Sequence, residues 1–498
     1  MGGIKKLAGQ TAIYGLGTIV PRLLNYLLLT PFYTYIFVQG NYGIVTELYA
    51  YVAFLLVILT YGMETTYFRF AQGEGNNHKV FSTSLIMVTF TTTVFTLLVL
   101  AFIHPIAKLI QYENNSNYVI WMVLIVGLDA ISSIPFAKLR QQNRPLTFVS
   151  IKIINVVINI LLNLFFFVYC PKALAENPSS WVNAVYSAEI GVGYAFLSNL
   201  IASIFSFLFL LPFIFSEKLY YSASLAKQMI KYSAPLLIVG IAGIANEHID
   251  KILLKYLIHV PDVLPAGYAN AKDYVMSQVG LYGANYKLAV LMTIFIQMFR
   301  FAAEPFFFAQ QKEKNSDQTY ADVLKYFTIF GLLIFLGVML YIDIFKYFIG
   351  PEYRVGIYIV PIILMANLML GIYFNLSVWY KLKNLTKYGA YTAIVGAIIT
   401  IVINLIWIPE YNYIASAWAT LICYATMVVI SYVWGQKYMK IPYDVKRILF
   451  YIALSLLIYF VSTFISTENA IVSFAVNTVL FLTFVGTVYL IEKKKIKI

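Results

Sequence analysis

The sequence predicts an all-α integral membrane protein of about fourteen transmembrane helices. These form two parallel six-helix lobes related by a pseudo-twofold axis, plus two C-terminal helices. Three observations predict this fold. First, 61% of the 498 residues are hydrophobic and only 11% are charged, with a mean hydropathy of +0.78. A soluble chain carries roughly 25% charged residues, so too little charge is present to coat water-facing domains. Second, the apolar residues fall in runs of roughly 20 to 28, the length a helix needs to cross a bilayer core. Alternation at barrel-strand spacing is not evident. Third, the chain carries a faint internal repeat.

The spans are placed near 10–38, 44–70, 80–104, 118–139, 146–170, 189–215, 231–258, 280–308, 321–349, 354–381, 388–408, 414–434, 447–466 and 470–491. The longest loops lie near 171–188, 216–230 and 259–279. Lys5 and Lys6 precede the first apolar stretch, but Arg22 and Asn25 interrupt it and no small-residue cleavage site follows. That predicts a retained first helix and not a signal peptide.

Orientation follows from the bases. Loops on the N-terminal side hold about 24 of the 35 Lys and Arg residues, from Lys5 and Lys6 through Lys138, Arg140 and Arg144 to the Lys493–Lys497 tail. About seven lie on the opposite side, among them Lys108, Lys172, Lys272 and Arg354. The bias places both termini in the cytoplasm. It also accounts for much of the net charge of +13 without nucleic acid as a partner.

In the repeat, Gly43, Tyr49 and Phe68 match Gly280, Tyr286 and Phe306, while Asn143 and Asn163-Leu164 match Asn384 and Asn404-Leu405. The offsets are roughly 237 and 241. Six helices per copy is an even number, so the copies enter the membrane in the same direction and pair about an axis along its normal. This predicts an N-lobe over 1–216 (helices 1–6) and a C-lobe over 217–436 (helices 7–12). Helices 13–14 and a basic tail occupy 437–498.

An ionisable side chain at mid-membrane costs at least roughly 2.5–3.5 kcal/mol on insertion scales, so each needs a reason. In the first span Arg22 and Asn25 share a face, beside the helix-kinking Pro21. The fifth carries Lys152, Asn155, Asn159 and Asn163, one cation and three amides on a single stripe. The eighth carries Lys287, Gln297, Arg300 and Glu304. Facing lobes would let Arg22, Lys152, Lys287 and Arg300 line one basic cavity suited to a diphosphate. Alternatively, Arg300 pairs with Glu304, and Lys152 or Lys287 snorkels to an interface.

The acids Glu64, Asp129, Glu247, Asp250 and Glu304 are candidates for coupling to H⁺ or Na⁺. The blander alternative has Arg69 and Lys251 neutralise Glu64 and Glu247. Glu47 reads as a residue near a helix end. No catalytic residue, metal site or cofactor is expected. His78, His104, His248 and His259 are scattered, no GxxxxGK loop occurs, and Cys170 and Cys423 read as ordinary buried thiols.

Three segments carry a family resemblance: Gly62-Met63-Glu64-Thr65-Thr66-Tyr67-Phe68-Arg69-Phe70, Gly280-Leu281-Tyr282-Gly283-Ala284-Asn285-Tyr286-Lys287, and Phe299-Arg300-Phe301-Ala302-Ala303-Glu304-Pro305-Phe306. With the fourteen-span layout, they resemble the polysaccharide-transporter branch of the multidrug/oligosaccharidyl-lipid/polysaccharide flippase superfamily. The resemblance implies a flippase of the bacterial inner membrane, not an enzyme. Its substrate would be undecaprenyl-diphosphate-linked oligosaccharide, such as an O-antigen, capsule or exopolysaccharide unit, moved by alternating access. It further implies membrane lipids as partners, together with the glycan polymerase and glycosyltransferases of the same pathway. A lipid II flippase and a cation-coupled drug antiporter of the same superfamily are the alternatives. A membrane glycan polymerase or ligase is disfavoured, because the outer loops are short and poor in His and Arg.

Overall fold

The computed structural model describes residues 2–71, 77–216, 218–311, 313, 315–465 and 469–496, without the side chains of 2–18, 304, 305, 309 and 494–496. The described residues form helices joined by turns and short loops, with no strand among them. The α-helices are α1 (Gly2–Ile36), α2 (Gln39–Thr60), α3 (Met63–Phe70), α4 (Asn77–Ala101), α5 (Ile103–Leu109), α6 (Ser116–Gln141), α7 (Pro145–Leu164), α8 (Cys170–Glu176), α9 (Gly193–Ile214) and α10 (Ala223–Leu257). They continue with α11 (Ala271–Leu288), α12 (Val290–Gln310), α13 (Ser316–Leu340), α14 (Ile342–Phe345), α15 (Val360–Leu376), α16 (Val378–Leu382), α17 (Lys387–Tyr438), α18 (Val445–Phe464) and α19 (Ala470–Ile496).

Twelve helical stretches among the described residues are long and apolar enough to cross a membrane. One of them, α17, is two spans. At Asn412 the backbone leaves the helix (φ 50°, ψ −140°). Twelve residues of straight helix would cover about 18 Å, yet Ser416 Oγ donates to Asn404 Oδ1 at 2.7 Å. Farther along, Cys423 Sγ approaches the Gly396 carbonyl at 3.4 Å. The two arms therefore run antiparallel, as the sequence places 388–408 and 414–434. With α1, all fourteen sequence-derived spans have a helical counterpart.

Three expectations need correction. The stretch 259–279 is not all loop, because α11 already begins at Ala271. The eighth span is also not one helix: α11 and α12 meet at Ala289 (φ −85°, ψ −3°). A hydropathy pattern does not register a one-residue change in ψ. Likewise the loop at 216–230 is helical from Ala223 onward.

The chain divides into two compact units, Met1–Tyr256 with Asp262–Gly280, and Leu257–Pro261 with Leu281–Ile498. In the first unit, α7 packs on α1 and α9, and α6 on α9, α4 and α2. In the second, α15 packs on α17 and α13, and α13 on α18.

Matched repeat positions adopt the same local geometry. Asn143 and Asn384 both take left-handed backbone, φ 54° and 56°. Asn163 Nδ2 donates to the carbonyl four residues back at 2.8 Å, and Asn404 Nδ2 does so at 2.7 Å. Gly43 and Gly280 meet each other at the start of α2. A Cβ on Gly43 would lie 1.9 Å from the Met276 carbonyl oxygen, and one on Gly280 would lie 2.0 Å from that of Gln39. Only glycine permits so close a backbone crossing.

Candidate functional site

Within the first unit, α1, α2, α3, α6, α7 and α9 surround a polar cavity of about 540 Å³. Arg22 enters from α1, Arg140 from the end of α6, and Lys152 and Asn155 from α7. Asp129 and Glu64 also line it, so three cations face two carboxylates. Hydroxyls of Ser132, Ser133, Ser203 and Ser206 and the amide of Asn199 complete a wall of hydrogen-bonding groups.

Lys152, Arg140, Glu64 and Asp129 are each held by a neighbour. Lys152 Nζ lies 4.1 Å from the centre of the Phe136 ring, a cation–π contact that costs it none of its three donors. Arg140 forms an ion pair with Glu64 and lies over the Phe68 ring at 4.9 Å. Ser203 Oγ donates to Asp129 Oδ1 at 3.1 Å. Asn199 Nδ2 donates to the Tyr49 hydroxyl at 2.7 Å, which fixes α9 against α2. Guanidinium forks and a lysine ammonium around one water-accessible cavity can bind a phosphate or diphosphate in several orientations. The serines and amides extend the donor and acceptor set toward hydroxyl-rich groups.

The sequence-derived candidates separate. Arg22, Lys152, Asn155, Glu64 and Asp129 come together in this cavity. Asn25 does not line it, and its Oδ1 is buried with no hydrogen-bond partner among the described residues. Asn159 and Asn163 are buried and structural: Asn163 Nδ2 donates to Asn159 Oδ1 at 3.0 Å, and Tyr33 OH donates to Asn163 Oδ1 at 2.8 Å, tying α7 to α1. The stripe is therefore half cavity wall and half helix packing. Glu64 pairs with Arg140 and not with Arg69, a partner 76 residues away that helical spacing does not indicate. Lys251 Nζ reaches the Asp250 carboxylate at 3.1 Å and the backbone carbonyl, not the carboxylate, of Glu247 at 2.7 Å. Asp250 is thus neutralised deep in α10, while Glu247 is exposed.

Lys287 and Arg300 belong to the second unit. Arg300 lies 3.9 Å over the Phe374 ring and lines a smaller pocket with Ser377 and Lys381. The Glu304 side chain, and with it the expected Arg300–Glu304 pair, lies outside the described residues. The sequence reading misses two features. Arg140 was counted only as an orienting base, and Glu47 as a helix-end residue. Glu47 is completely buried and accepts from Lys255 Nζ at 3.0 and 3.1 Å and from Tyr112 OH at 2.5 Å. An acid within the second span and a lysine within the seventh were the available signals.

Residues 7–309, more than half of the chain, match the family model described as polysaccharide biosynthesis protein. The chain belongs to that family. No curated protein matches it in sequence. Among solved structures it is similar to a lipid II flippase MurJ in an inward closed conformation, with a TM-score of 0.71 and 16% identity over 96% of this chain and 99% of that one. It is also similar to an inward-facing multidrug resistance MATE family transporter of the MOP superfamily, with a TM-score of 0.63 and 12% identity over 86% and 97%. At these identities the likeness establishes the fold alone. Its apolar helices and this fold make this member of the polysaccharide biosynthesis protein family a multi-pass membrane protein.

Proposed function

We propose that the protein is a flippase of the polysaccharide-transporter branch. It would carry an undecaprenyl-diphosphate-linked oligosaccharide, such as an O-antigen, capsule or exopolysaccharide unit, across the bacterial inner membrane by alternating access. Both termini lie in the cytoplasm. The observation that carries this reading is the cavity in which Arg22, Arg140 and Lys152 converge among serines and amides. A dianionic head group needs such cations, and a glycan needs such hydroxyl and amide partners. Asp129, beside Lys152, is the first candidate for coupling to H⁺ or Na⁺, since its charge opposes the cations that hold the substrate. Glycosyltransferases and a glycan polymerase act before and after this step.

A second reading, a lipid II flippase, is favoured by the fold match over nearly the whole of both chains. A drug antiporter fits less well, because cationic drugs would be repelled by a cavity with more cations than carboxylates. The test is mass spectrometry of lipids that copurify from the native membrane, with glycan export measured in parallel. A polyprenyl-diphosphate oligosaccharide is expected, lost together with export in Lys152→Ala and Arg22→Ala. Loss of a charged hydrogen bond of about 1.5–3 kcal/mol lowers occupancy about tenfold or more. Lipid II would move the assignment to the second reading, and full export in both variants would remove the cavity from the mechanism.

A further inference from the structure

The two repeats end one helix in different ways. In the second unit the first arm of α17 runs on from the repeat asparagine Asn404 and turns at Asn412 directly into its second arm. In the first unit the chain continues past the matching Asn163 through one turn of π-helix (Phe165–Tyr169) and then α8. Two short helical turns follow (Trp181–Ala184 and Ala188–Ile190) before α9 begins at Gly193. Residues 170–192 are thus an addition, because the second unit closes the corresponding hairpin without them.

The added segment is folded onto the end of α7. Cys170 and Val182 pack with Phe166 and Tyr194 in a buried cluster, and Leu174, Tyr186 and Ile190 lie against it. Ser187 N donates to Tyr194 OH at 2.7 Å, and Tyr118 OH donates to the Ile190 carbonyl at 2.7 Å. These bonds tie the segment to α9 and α6. Trp181 stays outside the cluster and is 62% exposed. Its ring stacks on Phe165, with centres 6.2 Å apart and 26° between planes, beside the half-exposed Tyr169.

The surroundings of this aromatic layer follow from α7. Ile154, Val157, Leu161, Leu164 and Val168 are all exposed, at the spacing of a single helix face. An exposed apolar face on a helix that crosses a membrane has lipid as its solvent. Phe165 follows Leu161 by one turn, and Tyr169 stacks on Phe165 at 5.6 Å. Trp181 therefore lies where the lipid-facing stripe ends. Beyond it the exposed side chains turn polar: Lys172, Glu176, Asn177, Asn183 and Glu189. Apolar stripe, aromatic layer and then charge is the order of hydrocarbon, interface and water at a bilayer surface. In the second unit the exposed Trp407 and Tyr411 close the first arm of α17 in the same way.

We infer that residues 170–192 form an interfacial layer lying on the membrane surface at the end of α7, with Trp181 and Tyr169 set among the lipid head groups. Such a layer follows from α7 crossing the bilayer, whichever substrate the cavity takes. Indole and phenol suit this level, since each has an apolar body and one polar handle. An exposed indole beside amides is also the chemistry of a sugar platform. The apolar stripe leading up to Trp181 favours lipid, because a glycan has no use for it.

The experiment uses the full chain in phosphatidylcholine vesicles, and subtracts the emission of Trp181→Phe from that of the wild type to isolate this indole. The lipid carries bromine either near the head-group end or near the methyl end of its acyl chains. Bromine near the head group is expected to remove more than half of the difference emission. Bromine near the methyl end should remove less, and acrylamide in the water little. A nitroxide on Leu164→Cys or Asn183→Cys gives a second reading, with Cys170 and Cys423 completely buried and out of reach of the label. Leu164 should relax with oxygen dissolved in the bilayer, and Asn183 with a nickel chelate in water. Strong quenching by acrylamide, equal or stronger quenching from the methyl end, or a water-exposed nitroxide at Leu164 overturns the assignment. Protection from acrylamide by a soluble oligosaccharide, without quenching by either brominated lipid, overturns it in favour of a sugar platform.

Discussion

Burying a carboxylate and an ammonium together costs each its hydration, and the Glu47–Lys255 pair repays that through four short contacts. Lys255 Nζ also donates to the Ile110 carbonyl at 2.6 Å and lies 4.1 Å over the Tyr112 ring. Removing one partner leaves the other charge stranded, which costs about 3–5 kcal/mol. Glu47→Gln should therefore lower the thermal unfolding midpoint in detergent sharply, and adding Lys255→Met should recover much of the loss. An unchanged midpoint in Glu47→Gln would show that water or lipid compensates the lysine. The pair is illegible in sequence because its members stand 208 residues apart. The cavity lysine was easier to find, since Lys152 sits in an apolar run with amides at helical spacing around it.

Element boundaries carry the repeat more faithfully than the side chains between them. Asn143 ends the α6 turn before Pro145, and Asn384 stands in the same left-handed conformation before α17. Asparagine tolerates this region because its short amide bonds locally, whereas a β-branched residue is penalised by roughly 1–2 kcal/mol. Asn143→Val and Asn384→Val should each reduce stability by about that amount, while the glycine variants stay close to wild type; circular dichroism melts in detergent would check both. Equal losses for valine and glycine would point to the amide and not the backbone. The same level shows where periodicity misleads. Lys152, Asn155, Asn159 and Asn163 share a stripe, but α1 covers the later half, so only its earlier half reaches the cavity. Hydropathy alone likewise separates the two arms of α17 while giving no sign of the break at Ala289.

At the scale of the molecule, the last two helices belong to the packed structure of the second unit. Lys325 of α13 is buried and pairs with Glu492 of α19 at 2.7 Å and with Asp322 at 3.3 Å. Glu492 also accepts from Tyr451 OH of α18 at 2.8 Å and pairs with Arg447 at 3.4 Å. One carboxylate therefore ties three helices. Glu492→Ala should free the end of α19 and raise protease sensitivity of the C-terminal hairpin, with a stability loss of about 3 kcal/mol as Lys325 loses its closest counter-charge. A cleavage pattern identical to wild type would mean that apolar packing alone holds the hairpin.

The sequence by itself determined the membrane environment, the helical class and the number of spans, because burial in a bilayer writes itself into hydropathy runs. It also marked Arg22, Lys152, Glu64 and Asp129 as residues needing a reason, since charge inside an apolar span is costly wherever it falls. Only the tertiary structure decided which of them meet. It brought Arg140 into the cavity, assigned Asn159 and Asn163 to packing, and buried Glu47 against Lys255. Those outcomes depend on contacts between helices far apart in the chain. The period of a single helix fixes which face a residue shares, but not what that face meets.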